Sequence, residues 1–126
     1  QRSSTMERHQ FTRGQYIFRE EERGEMAFLV IQGEVEIVKT TTTGETVLGT
    51  VQERGLFGEM ALIGDKPRIA SARAATDDVE LMVITRGMFE KKMSDADPFL
   101  RALVKIFADH IRTMAETISR ANTRAS

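Results

Sequence analysis

The 126 residues carry 18 Lys and Arg against 19 Asp and Glu, a net charge of −1, with 40% hydrophobic and 29% charged side chains. That composition belongs to a folded globular chain and lacks the cationic excess of a nucleic-acid binder. Without cysteine there is no disulfide, cysteine–zinc site, iron–sulfur cluster or thiol nucleophile, and no apolar run approaches the ~18 residues of a membrane span.

The length fits one domain, residues 1–126, in the cytoplasm, with no signal peptide. The first residue is Gln1 rather than methionine, so the chain reads as a fragment or a processed product. Gln1 to Thr5 is polar and expected to be loose. From about residue 8 to 85, short apolar runs alternate with glycine. Tyr16 to Phe18, Ala27 to Ile31, Val35 to Val38, Val47 to Val51 and Leu81 to Ile84 each fit a short strand. Val35 and Ile37 alternate with Glu34 and Glu36, the period of a half-buried strand. Gln32-Gly33 predicts a tight connection and Thr40 to Gly44 a polar hairpin tip. Eight of the nine glycines lie between positions 14 and 64, and most separate these runs. Many short antiparallel strands at this spacing predict a small barrel or jelly roll.

After Thr85 the texture changes to Met, Phe, Leu, Ala, Lys and Arg. Arg86 to Met93 predicts a short helix. Asp97 then supplies an N-cap and Pro98 a first helical position. From Pro98 to about Ala121, Leu103, Phe107, Ile111, Met114, Ile118 and Ala121 recur at spacings of four or three. Arg101, Lys105, Asp109, Arg112, Glu116, Arg120 and Arg124 form the opposite stripe. The fold class is therefore mainly β with C-terminal helices. The four–three alternation is also the seam of a short coiled coil, so this helix is expected to make a homodimer.

Residues 55–71, between two strand runs, carry the chemistry. Gly58 allows close backbone approach, and Glu59 to Leu62 can form one helical turn whose first amides point outward at an anion. Arg68 follows nine residues after Glu59, on a loop stiffened by Pro67. Its guanidinium can grip two phosphate oxygens at once. A carboxylate beside phosphate is repulsive unless it accepts hydrogen bonds from neighbouring sugar hydroxyls, which is the role that suits Glu59. Glycine, acid and arginine together read as a ribose-phosphate cradle.

Phe57-Gly58-Glu59-Met60-Ala61-Leu62, followed by Pro67-Arg68-Ile69-Ala70-Ser71, resembles the phosphate-binding cassette of cyclic nucleotide-binding domains. The surrounding Gly14 to Glu20, the Gly24 turn and Leu29 to Val35 agree, so the resemblance covers roughly residues 8–110. It implies an antiparallel β-roll with the cassette inserted in it, then hinge and lid helices. By the same resemblance Glu59 holds the ribose 2′-hydroxyl and Arg68 the cyclic phosphate, completed by the amides of Met60, Ala61 and Ala70. The implied ligand-binding set is Val51, Phe57, Gly58, Glu59, Met60, Ala61, Arg68, Ile69, Ala70 and Ser71. One position departs from the family pattern. Ile69 stands where a small or hydroxylated residue often reaches the guanine amino group, and this favours cAMP over cGMP as the ligand.

The implied function is a sensor that takes cyclic nucleotide and, by population shift, repositions the hinge helix and folds the next helix toward the base. The alternatives are the dimerising sensory half of a catabolite-activator-type regulator, and a domain that kept only an interaction role. No metal, cofactor or nucleic-acid contact is expected, and no enzyme activity. His9 and His110 lack metal-ligand spacing, and Ser71 has no candidate base nearby. Glu20-Glu21-Glu22 reads as a solvated turn, Arg73 as a surface residue, and Glu59 with Arg68 as a plain ion pair if the cassette is set aside.

Overall fold

Among residues 7–64 and 66–125, which the computed structural model describes, eight strands and three helices follow one another. Side chains are described through Met114 and at Thr117. The strands are β1 (Arg8–Phe11), β2 (Tyr16–Phe18), β3 (Met26–Gln32), β4 (Val35–Thr41), β5 (Gly44–Val51), β6 (Leu56–Phe57), β7 (Ser71–Ala74) and β8 (Val79–Thr85). The helices are α1 (Met60–Ile63), α2 (Arg86–Ser94) and α3 (Pro98–Ala125). Two compact units result, Gln1–Met88 and Phe89–Ser126.

In the first unit the strands pair into two antiparallel four-stranded sheets, ordered β1-β8-β3-β6 and β2-β7-β4-β5. This is a roll with two sheets around one core, rather than a closed barrel. Phe28 and Val30 of β3, Val35 of β4, Phe57, Ala72 and Ala74, and Val79, Leu81 and Val83 of β8 make that core. Strands β1, β6 and β7 were not among the expected runs. The first is polar and nearly all exposed, the second has two residues, and the third packs inward through alanines, which carry little strand propensity. Ala72 and Ala74 are both fully buried there.

The expected alternation in β4 holds through Ile37: Val35 is in the core and Ile37 packs against it. The register against β5 shifts between Ile37 and Val38, so Leu48 has no partner across the ladder, and Val35 and Val38 are the fully buried pair. Such a bulge re-aims the residues that follow it. The Gln32-Gly33 connection needs glycine twice over. Its φ is +84°, and a Cβ there would lie 2.6 Å from the Asp78 carbonyl oxygen. On the β2-β7-β4-β5 sheet Arg73 donates to Glu36 at 2.6 Å and Glu45 at 3.0 Å, both raising its pKa, and to the Tyr16 hydroxyl at 3.3 Å.

In the second unit, Asp97 caps α3 as expected: its Oδ2 accepts the Phe99 amide at 2.9 Å. The helix runs four residues past Ala121. Arg101 is exposed, as its place on the solvent stripe predicts, and it also donates to the carbonyls of Ser94 at 3.2 Å and Ala96 at 3.1 Å, covering the end of α2. Phe107 and Met114 of the apolar stripe are exposed. Ile118 and Ala121 lie outside the residues whose side chains are described. No helix among the described residues is long and apolar enough to cross a membrane.

Candidate functional site

Strand β6 ends at Phe57, whose ring stacks 5.3 Å from Phe28, and this fixes where the cassette begins. Gly58 then turns the chain with φ +74°. A Cβ there would stand 3.0 Å from Arg68 Nη1 and 3.3 Å from the Phe18 ring, so the left-handed turn and the close approach both demand glycine. Glu59 starts α1 without capping it through its side chain. The other end of α1 is held by Arg86, the first residue of α2. Its guanidinium donates to the Ala61 carbonyl at 2.7 Å and 3.0 Å and to the Gly64 carbonyl.

Arg68 is brought to Gly58 across the loop. Nη2 donates to the Met26 carbonyl at 2.8 Å, Nη1 to the Gly58 carbonyl at 3.3 Å, and the guanidinium lies 3.9 Å above the centre of the Phe18 ring. Phe18 in turn lies 6.0 Å from both Phe28 and Phe57, so the cation rests on an aromatic platform continuous with the core. Burial lowers the pKa of Arg68, against the Glu22 carboxylate, which raises it. A cation this poor in water gains from an anionic partner.

The backbone of Arg68 is clamped as firmly as its side chain. The Glu21 amide donates to the Arg68 carbonyl and the Arg68 amide to the Glu22 carbonyl, each at 2.8 Å. Glu20 completes the clamp. Its amide donates to Ser71 Oγ at 2.9 Å, while its carboxylate accepts the Thr40 amide at 2.9 Å and pairs with Lys39 at 3.4 Å. The Thr40 bond, with the Lys39 charge, holds the Glu20 carboxyl below the usual carboxylate range although burial raises it. Lys39 also donates to the Ile69 carbonyl at 2.7 Å. The acidic triplet is thus a turn, as expected, but one that seats the arginine loop.

The remaining expected site residues divide. Glu59 is half-buried and, among the described residues, has no hydrogen bond or cation on its carboxylate. It therefore makes no ion pair with Arg68. The Ala61 amide donates to the Gly58 carbonyl at 3.1 Å, whereas the amides of Met60 and Ala70 meet no acceptor among the described residues. Ile69 is exposed and Ala70 buried. Val51 and Phe57 pack in or against the core, and the buried Ser71 spends its hydroxyl on Glu20. Phe18, Met26, Lys39 and Glu20, which seat Arg68 and its loop, were absent from the expected set, because backbone carbonyls and ring faces leave no motif in a sequence.

An arginine fixed against Gly58, and the open carboxylate of the next residue, Glu59, can take a phosphate joined to a hydroxylated sugar. The model of the family described as the cyclic nucleotide-binding domain matches residues 8–96. The chain belongs to the cyclic nucleotide-binding domain family. The domain is 38% identical over 85 residues to the cAMP-dependent protein kinase regulatory subunit of Mycosarcoma maydis, covering 66% of this chain and 16% of that subunit. To the cGMP-dependent protein kinase of Toxoplasma gondii it is 40% identical over 78 residues, 62% of this chain and 7% of the kinase. Among solved structures it resembles the catabolite activator protein of Thermus thermophilus, with TM-score 0.73 and 26% identity, over 95% of this chain and 56% of that one. The domain therefore spans a small part of the curated relatives it matches, and its family is a regulatory one.

Proposed function

We propose that this chain is a sensor module that binds cAMP and passes the event through α2 and α3 to an output domain. The carrying observation is Arg68, fixed on Phe18 by the carbonyls of Met26 and Gly58, with the Glu59 carboxylate open nearby. Arg68 takes the cyclic phosphate and Glu59 the ribose 2′-hydroxyl, while the amides of Met60 and Ala70 supply further donors. The apolar, exposed side chain of Ile69 offers no hydroxyl to a guanine amino group, which supports adenine over guanine. Roll, cassette and following helices act as one cytoplasmic domain without catalytic chemistry of its own. Titration calorimetry with cAMP and cGMP tests the reading: tighter binding of cAMP is expected, and binding of neither nucleotide refutes it.

A second reading, the dimerising half of a catabolite-activator-type regulator, is favoured by α3. Phe107 and Met114, both on its apolar stripe, are exposed, and side chains of that size in a stripe mark an interface. The expected assembly is a homodimer through α3. Light scattering with and without cAMP checks it, and a particle of single-chain mass, 14.2 kDa, in both conditions rejects it.

A further inference from the structure

The two arginines of the first unit that reach into the cassette are held by consecutive carbonyls. Met26 accepts from the Arg68 side chain at 2.8 Å, and Glu25 accepts the backbone amide of Arg86 at 2.7 Å. The guanidinium of Arg86 closes the circuit from the other side, on the Ala61 and Gly64 carbonyls at the end of α1. The beginning of α1 meets Arg68 through the Gly58 carbonyl, 3.3 Å from Nη1. Hydrogen bonds therefore link Arg68 to Arg86 along two routes, through the start of β3 and through α1.

Arg86 is also the first residue of α2, and the Thr85 hydroxyl accepts the Met88 amide at 3.1 Å to cap that helix. The far end of α2 repeats the device, with Arg101 of α3 on the carbonyls of Ser94 and Ala96. A guanidinium suits both places because one of its nitrogens can donate to more than one carbonyl and its charge complements a helix C-terminus.

We infer that Arg86 is a positioning residue that couples the occupied cassette to α2. It touches no ligand in the proposed site. It makes the end of α1 and the head of α2 move as one body, so that a shift of the cassette becomes a shift of the helix. This rests on the reading of the cassette as a nucleotide site.

Hydrogen exchange of the 126-residue chain, with and without saturating cAMP, tests the coupling, alongside calorimetric Kd values and thermal melts. In the parent, cAMP is expected to shift the opening equilibrium of α2 amides by about 5–150-fold, the usual range of coupling between sites. In Arg86→Ala the Kd stays within about threefold, less than the smallest such coupling, while the α2 response is lost. A merely structural Arg86 would lower the melting temperature and leave that response in place, and this result overturns the inference. Should Arg86→Ala fail to fold, Arg86→Lys decides. Lysine keeps the charge but loses the paired Nε and Nη2 donors on the Ala61 carbonyl, so a diminished response is expected and an undiminished one overturns the inference. A parent that binds cAMP with no change in α2 also overturns it and leaves the site reading intact. A parent that binds neither nucleotide removes both.

Discussion

Replacing Arg68 by alanine separates what this side chain does for the fold from what it does for a ligand. In the folded chain it loses a charged hydrogen bond at 2.8 Å to Met26, which contributes about 1.5–3 kcal/mol. The contact with the Phe18 ring contributes about 0.5–2 kcal/mol, and the longer bond to Gly58 adds little. The folded state should therefore weaken by roughly 2–5 kcal/mol, which a domain above the bottom of the ordinary range, about 5–15 kcal/mol, survives. Binding should suffer more. Depriving a buried anion of its partner costs about 3–5 kcal/mol, or roughly two to three and a half decades in Kd. Urea melts give the first quantity and calorimetry with cAMP, run where the variant is folded, gives the second. Arg68→Lys keeps the charge without the fork and should fall between variant and parent. An Arg68→Ala protein that melts as expected yet binds cAMP within a factor of a few would refute the assignment of this residue to the phosphate.

Gly58→Ala should lower stability by about 1–3 kcal/mol, since the residue keeps φ +74° and its new methyl presses on the Phe18 ring; a thermal melt measures this. Leu81→Ala, at a fully buried position, should cost about 2–5 kcal/mol in urea denaturation. Because the folded state lowers the pKa of Glu20, its contribution is complete above its ordinary value of 4.5 and is lost as pH falls below that. Urea melts across that window should show a smaller acid loss in Glu20→Gln than in the parent. Ile69→Thr should move selectivity toward cGMP by about one hydrogen bond, 0.5–1.5 kcal/mol, in competition binding.

The cassette was legible because its glycine, acid and arginine lie on one short stretch, Gly58 to Arg68, and their types suggest a chemistry before any fold is known. The start of α3 was legible for a similar reason, since Asp97 and Pro98 act on their own local backbone. What escaped was held by partners distant in sequence. The Arg68 loop is seated by residues 20–22, whose amides and carbonyls are common to every residue type. Neither Arg101 nor Arg86 had a partner legible in the sequence, because the carbonyls they cover converge only once helices have ended beside them. Strand β7 escaped because Ala72 and Ala74, though fully buried, carry little strand propensity of their own.

The seat of Arg68 has a consequence for speed. A free arginine side chain carries about 2 kcal/mol of rotamer entropy, and here Met26, Gly58 and Phe18 remove much of that freedom as the chain folds. An incoming anion then meets a cation already held in place, so capture costs less side-chain entropy. Arrival is left to diffusion and charge, which vary little among related variants, whereas departure depends on every contact around the loop. Changes in the loop that seats Arg68 should therefore alter how long a signal lasts far more than how quickly it is received.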